Sequence, residues 1–327
     1  MTDTLTPRLP APEASGAPEA AHDAAAAATA THGRAPWLGM LCGLLAAAIW
    51  GGQSVASRQS VADGLTAADV TVLRFAMAAL LLLPLALRRM RPFPVGRIGW
   101  RRAIVLTLLA GAPYSLVIVG GTAFAPALHA SVISPGLIPV FTAALGYLLL
   151  GERMAPARLA GLALVVIGVV TFSWRSLGSL LGQGDTWIGD LLFVLTAVMW
   201  TLFGLLARRW RADAVDVTIA TCLLSVAALP LIALAMPMHL LQASPGAIAL
   251  QAVYQGALVG VGALFFYTQS VALLGPQRAA LFVPLVPVTS AIAGATLLGE
   301  WPSMSEVAGM AIVVAGLTLA LRAGRTA

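Results

Sequence analysis

The residues of this chain that could do chemistry are few, and they stand inside apolar sequence. Trp50, Gln53, Ser54 and Ser57 recur at spacings of three and four, which places them on one face of a helix. Ser131, Ser134, Pro135, Ile138 and Thr142 share a second such face. Pro135, Gly136 and Pro139 interrupt it, because a proline lacks the N–H and crowds the carbonyl four residues earlier. Pro284, Pro287, Thr289 and Ser290 form a similar stretch near the other end of the chain. Gln251, Gln255, Phe265 and Gln269 lie close to one face, with Tyr254 and Tyr267 nearby, and Tyr114, Ser115 and Trp200 add further polar or aromatic surface. A side-chain amide or hydroxyl is costly in hydrocarbon unless it meets protein, water or a polar solute. These residues are therefore suited to replacing the water around a small polar molecule.

They are not suited to catalysis. No apolar segment carries His-x-x-x-His, Glu-x-x-His or paired aspartates, and the chain has no lysine. Cys42 and Cys222 give neither metal spacing nor a disulfide framework. The expectation is a protein without cofactor or metal, not an enzyme.

Arg74 is the most informative charge, because it falls inside an apolar run. Three readings stay open: its side chain snorkels to the nearer interface, it pairs with Asp69, or it faces inward and binds a carboxylate. His129 reads as an interfacial anchor, His239 as a loop residue, and Gln251 as interfacial. Glu152 and Glu300 sit at ends of apolar runs, placed to cap the next helix or to pair with Arg153 or Arg158.

The elements that must position these groups follow from composition. The chain is 59% hydrophobic and 10% charged, with a mean hydropathy of +0.91. Soluble domains carry about 25% charged residues. A chain this poor in charge cannot coat a water-exposed globule, so it reads as a polytopic membrane protein whose medium is the lipid bilayer. Its arginines are dispersed over short loops, which argues against nucleic acid. Residues 1–35 are rich in Ala, Pro and Thr and read as a disordered tail.

Crossing the hydrocarbon core takes roughly 20 apolar residues. Ten segments are expected to cross: 37–57, 67–87, 103–124, 128–150, 158–174, 187–207, 216–237, 247–273, 279–298 and 304–321. With the N-terminus inside, this count places nearly all arginines on the inner side. Only Arg58 and Arg175 lie outside, and Arg74 lies within a span. That bias is the positive-inside pattern.

The sequence also repeats itself. Residues 137–152, ending in Gly151-Glu152, resemble residues 285–300, ending in Gly299-Glu300. Ala160, Gly161, Val165 and Gly168 recur as Ala308, Gly309, Val313 and Gly316. Trp50 and Arg58 match Trp200 and Arg208, and Asp69-Val70-Thr71 matches Asp216-Val217-Thr218. Each half holds five spans, an odd number, so the second copy must enter from the opposite side. The expected fold is all-α, with ten transmembrane helices as two inverted five-helix repeats (37–174 and 187–322) joined by a Gly/Ser-rich linker at 175–186. Inverted repeats give a protein two related conformations, each open to one side.

These features resemble the drug/metabolite transporter superfamily, and within it the EamA-type ten-helix members. The resemblance spans about residues 37–322. It rests on Trp50-Gly51 with Arg58 following, on Leu73-Arg74-Phe75, on Pro139 and Pro287, and on the duplicated Gly-Glu pairs followed by Ala-Gly. It implies a secondary transporter of the bacterial inner membrane with both termini cytoplasmic. It further implies export of small metabolites, such as amino acids or related zwitterions, by alternating access. Multidrug efflux and a non-transporting sensor are the alternatives. One departure counts against coupling through a first-span acid: the small four-helix relatives carry a membrane-embedded glutamate there, and 37–57 has none. The candidate solute-binding residues are Trp50, Gln53, Ser54, Arg74, Tyr114, Ser131, Ser134, Trp200, Gln255, Tyr267 and Thr289. The candidate hinges are Pro135, Pro139, Pro284 and Pro287.

Overall fold

In a computed structural model the described residues are 36–150, 154–179, 182 and 184–323. The tail at 1–35 and the pair Glu152 and Arg153 lie outside them. The described chain is helical throughout. We number its long helical segments α1 (Pro36–Ala62), α2 (Ala67–Arg89), α3 (Trp100–Gly121), α4 (Ala127–Leu150), α5 (Pro156–Phe172), α6 (Thr186–Arg209), α7 (Ala214–Ala235), α8 (Pro245–Leu274), α9 (Ala280–Leu298) and α10 (Met304–Ala323).

Among the described residues nine of these are long and apolar enough to cross a membrane. The exception is α5, at 17 residues. At ~1.5 Å per residue it reaches about 26 Å, slightly short of a ~30 Å hydrocarbon core. The expected linker is also more structured than its composition suggests, since Trp174–Ser179 forms a short helix.

Several long segments are not uniform. α3 breaks at Gly111, where the Ala112 N–H donates to Ser225 Oγ at 3.0 Å instead of continuing the ladder. α8 widens into π-helical turns over Ala252–Gly262. α9 begins as a 3₁₀ turn at Ala280–Phe282, becomes α-helical from Leu285, and ends in π turns over Gly294–Leu298. The two proline-bearing segments thus differ: α4 stays continuous through Pro135 and Pro139, whereas α9 is segmented around Pro284.

Packing follows the small residues. α5 and α10 lie antiparallel in the most extensive helix contact among the described residues. A Cβ added to Gly168 would come 2.9 Å from Gly309 O, and one added to Gly316 would come 2.7 Å from Gly161 O. Close approach through small residues supplies dispersion contacts where lipid offers no hydrophobic drive. One buried cluster fills the space between α2, α3 and α7 around Phe75, Leu106 and Ile219. Another joins α4, α5, α6 and α10 around Ile133, Phe172, Phe193 and Val313. Leu41, Leu44, Leu80, Leu87, Leu191 and Ile167 are exposed on the outer surface. A solvated globule would hide such residues, whereas a lipid-facing surface presents them.

Candidate functional site

A cavity of about 1270 Å³ lies among the helices, lined by residues from both halves of the chain. That exceeds the ~300–1,000 Å³ usual for small-molecule sites. α1 contributes Trp50, Gln53 and Ser54, α2 contributes Arg74, and α3 contributes Tyr114. Ser131, Ser134, Pro135 and Pro139 of α4 form a further wall. Trp200 of α6, Tyr267 of α8 and Pro284 of α9 complete it.

Two candidates lie elsewhere. Gln255 is fully buried, and its amide donates to Ser57 Oγ at 2.9 Å and to Gln53 O at 3.4 Å. It pins α8 to α1 and does not line the cavity. Thr289 donates to Val286 O at 3.0 Å and Ala47 O at 3.2 Å, and a Cβ on Gly51 would collide with its hydroxyl. Thr289 therefore sits in the close α1–α9 contact. Pro287 is buried in α9 away from the cavity. Gln251 is not interfacial: it is fully buried and donates to Ala56 O at 2.8 Å.

Aromatic rings stand on both sides of the cavity. Trp50 of α1 meets Tyr267 of α8, and Tyr114 of α3 meets Trp200 of α6, each with centroids 5.4 Å apart. Hydroxyl pairs tie further helices together: Ser54 to Ser290 at 2.9 Å, and Thr196 to Ser134 at 2.9 Å. Thr221, Cys222 and Phe203 also line the cavity, and sequence patterning did not single them out. Thr221 stands 147 residues after Arg74, the same shift that aligns Asp69 with Asp216, and that match is the signal that could have found it.

Arg74 does not pair with Asp69. Five residues apart, at ~100° per residue, the two lie about 140° around the helix from each other, off the three-or-four spacing at which side chains meet. Asp69 instead closes a capping box with Thr66 and accepts from the His239 and Leu240 amides at 3.0 and 3.1 Å. That leaves Arg74 Nη1 shut from solvent and without a hydrogen-bond partner among the described residues. Backbone packing fixes its place, because a Cβ on Gly256 of α8 would lie 3.0 Å from Arg74 O.

The cavity is asymmetric along the helix axes. At one end it reaches Arg158, Arg208 and Arg211, at or near the ends of α5 and α6. Outside that end, Arg89 at the close of α2 pairs with Asp213 at 2.8 Å and with Asp216. Toward the opposite end its last lining residues are Ser57, Thr122 and Ser131. Beyond them ionic contacts bind the helix ends together. Arg58 donates to Glu300 at 2.8 Å and to Thr122 O at 2.8 Å, and Glu300 also accepts from Ala127 N at 3.0 Å. Glu300 therefore joins α1, α4 and the α9–α10 turn, rather than pairing with Arg153 or Arg158.

His129 departs furthest from its expected role. It is 2% exposed, with Nδ1 at 2.6 Å from Asp190 of α6 and Nε2 at 3.0 Å from Glu306 of α10. Its ring packs edge-on against Phe172, centroids 4.8 Å apart. Both ring nitrogens face carboxylate oxygens, an arrangement satisfied when both carry a proton. Sequence reasoning saw a lone histidine, because its partners are 61 and 177 residues away.

Comparison with known proteins places this arrangement. A Pseudomonas aeruginosa protein described as uncharacterized, PA1977, is 33% identical over 88% of this chain and 96% of its own length. An uncharacterized transporter of Bacillus subtilis, YyaM, is 27% identical over 57% of this chain, and the match spans 61% of that relative. A solved crystal structure shares the fold with a TM-score of 0.59 and 23% identity, covering 88% of this chain and 98% of its own. The EamA-like transporter family model matches residues 37–174 and again 187–322. The chain is a multi-pass helical membrane protein of the transporter class, and it belongs to the EamA-like transporter family.

Proposed function

We propose that this protein is an alternating-access secondary transporter that exports small metabolites, such as amino acids or related zwitterions, across a bacterial inner membrane. Its ten helices act as two inverted five-helix repeats, 37–174 and 187–322, with α5 as a short fifth span and both termini cytoplasmic. The proline-bearing stretches at Pro135–Pro139 and Pro284–Pro287 serve as hinges.

Helix pairing supports the inverted reading. α1 packs on α8 and α9, and its sequence counterpart α6 packs on α3 and α4. α2 packs on its own counterpart α7, and α5 on α10. A two-fold relation between the halves produces this pattern. The paired Trp50–Tyr267 and Trp200–Tyr114 rings repeat it at the cavity wall.

The observation that carries the proposal is the cavity itself. It is shared by both halves, reaches the arginine-rich end, and is shut at the other end by Arg58, Glu300 and the His129 cluster. On the positive-inside rule the arginine-rich end is cytoplasmic, which makes this an inward-facing state. No carboxylate lines the cavity among the described residues, which favours a neutral, zwitterionic or anionic solute over a cationic drug. Uptake of radiolabelled amino acids and organic acids into inverted vesicles tests the proposal. Protein-dependent flux of some members is expected, and absence of flux across a broad panel would overturn it.

A further inference from the structure

We propose that Arg74 is the docking point for a carboxylate on the transported solute, so that the carrier selects carboxylate-bearing molecules and rejects those that carry only positive charge. This deepens the transport proposal and rests on the same cavity.

Three observations converge on Arg74. The first is charge. A guanidinium at membrane depth is expensive, and proteins keep one there with a partner or with a task. Arg74 lines the cavity, its Nη1 has no hydrogen-bond partner among the described residues, and the acid nearest on its helix is committed to the α2 cap. Its guanidinium lies over the Phe75 ring, 5.6 Å from the centroid, and near the Tyr114 phenol and the Cys222 thiol, none of which is an acid at neutral pH. Among the described residues no carboxylate supplies its counter-charge, which leaves that role to the solute.

The second is an unpartnered hydroxyl at the matching place on the facing helix. Thr221 occupies in α7 the place that Arg74 occupies in α2. It lines the same cavity, and its buried hydroxyl has no hydrogen-bond partner among the described residues. From equivalent positions the two halves thus contribute one guanidinium nitrogen and one hydroxyl, each shut from solvent and without a partner among the described residues. A planar carboxylate accepts two parallel N–H bonds from an arginine and keeps lone pairs for a hydroxyl.

The third is the sign of the whole lining. Arg74, Arg158, Arg208 and Arg211 line the cavity, and no Asp or Glu does among the described residues. A low-dielectric cleft lined by one sign concentrates solutes of the other. The Trp50–Tyr267 and Tyr114–Trp200 pairs offer flat apolar surface for the rest of the solute.

The test is a matched probe set with one indole body: indole-3-acetate, tryptophan, tryptophan amide and tryptamine. A second set pairs leucine with leucine amide, and phosphoethanolamine, which has a phosphate but no carboxylate, reports whether a phosphate serves as well. Flux in proteoliposomes and thermal stabilisation of the purified full-length protein are measured for the parent, Arg74→Lys and Arg74→Gln. The expected result is that only members with a free carboxylate are carried or stabilise the protein. Arg74→Gln reduces these responses at least about tenfold, as expected for loss of a charge-assisted bidentate bond, and Arg74→Lys retains part of them. Equal responses to acid and amide, or full carboxylate responses in a folded Arg74→Gln protein, would overturn the assignment. A phosphoethanolamine response that depends on Arg74, without one to carboxylates, would also overturn it. Arg74-dependent stabilisation without flux would uphold the docking site and overturn the transport proposal. Neither flux nor stabilisation would overturn both.

Discussion

At the residue scale, the polar groups inside this bundle divide into those that hold helices together and those that face the cavity. Gln255 belongs to the first kind. Replacing it by Ala removes the donor to Ser57 and leaves a void between α8 and α1. A loss of about 1–3 kcal/mol is expected, read as a lower thermal midpoint in detergent, with the order of preference among transported solutes unchanged. A changed preference would return Gln255 to the binding surface. His129 is a sharper case, because removing one partner of a buried charge cluster leaves the others uncompensated. His129→Gln leaves the buried Asp190 and the part-buried Glu306 without their shared partner. This should loosen the arginine-poor end, seen as increased labelling by a membrane-impermeant thiol reagent of Ser131→Cys from that side. Adding Asp190→Asn and Glu306→Gln should restore closure, and unchanged labelling in the single variant would contradict the role given to the cluster.

At the element scale, glycine placement decides how closely helices approach. A Cβ on Gly309 would strike the Phe172 backbone, while one on Gly204 would meet nothing within 4 Å. Gly309→Ala should cost roughly 1–3 kcal/mol through displacement of α10 from α5. Gly204→Ala should be neutral or slightly stabilising, since Ala is the better helix former. Equal thermal midpoints for the two variants would sink the argument. These elements also show what the sequence made legible. Apolar run lengths located the long helices to within a few residues, because hydrocarbon thickness sets that length. The repeated Gly161/Gly309 and Gly168/Gly316 pairs pointed to a duplicated helix, and those residues meet across α5 and α10. The break at Gly111, the π turns of α8 and the segmentation of α9 were not legible, because each depends on tertiary partners such as Ser225. The same limit explains the misread roles of Asp69, His129 and Glu300. Spacing along one helix says which residues share a face, not which distant residue that face meets.

At the scale of the whole molecule, the chain combines a cavity that reaches the arginine-rich end with ionic contacts that shut the arginine-poor end. The central claim is that this cavity is the transport path and opens alternately to the two sides. Gln53 reports on it directly: it lines the cavity, is only part-buried, and its side chain makes no hydrogen bond among those described. The measurement is labelling of Gln53→Cys, with Cys42 and Cys222 replaced by Ala, using an impermeant thiol reagent in right-side-out and inside-out vesicles. The account predicts labelling from the arginine-rich side at rest. It also predicts labelling from the opposite side once a transported solute or the His129→Gln change shifts the population. Access from one side alone under every condition, or from neither, would contradict it.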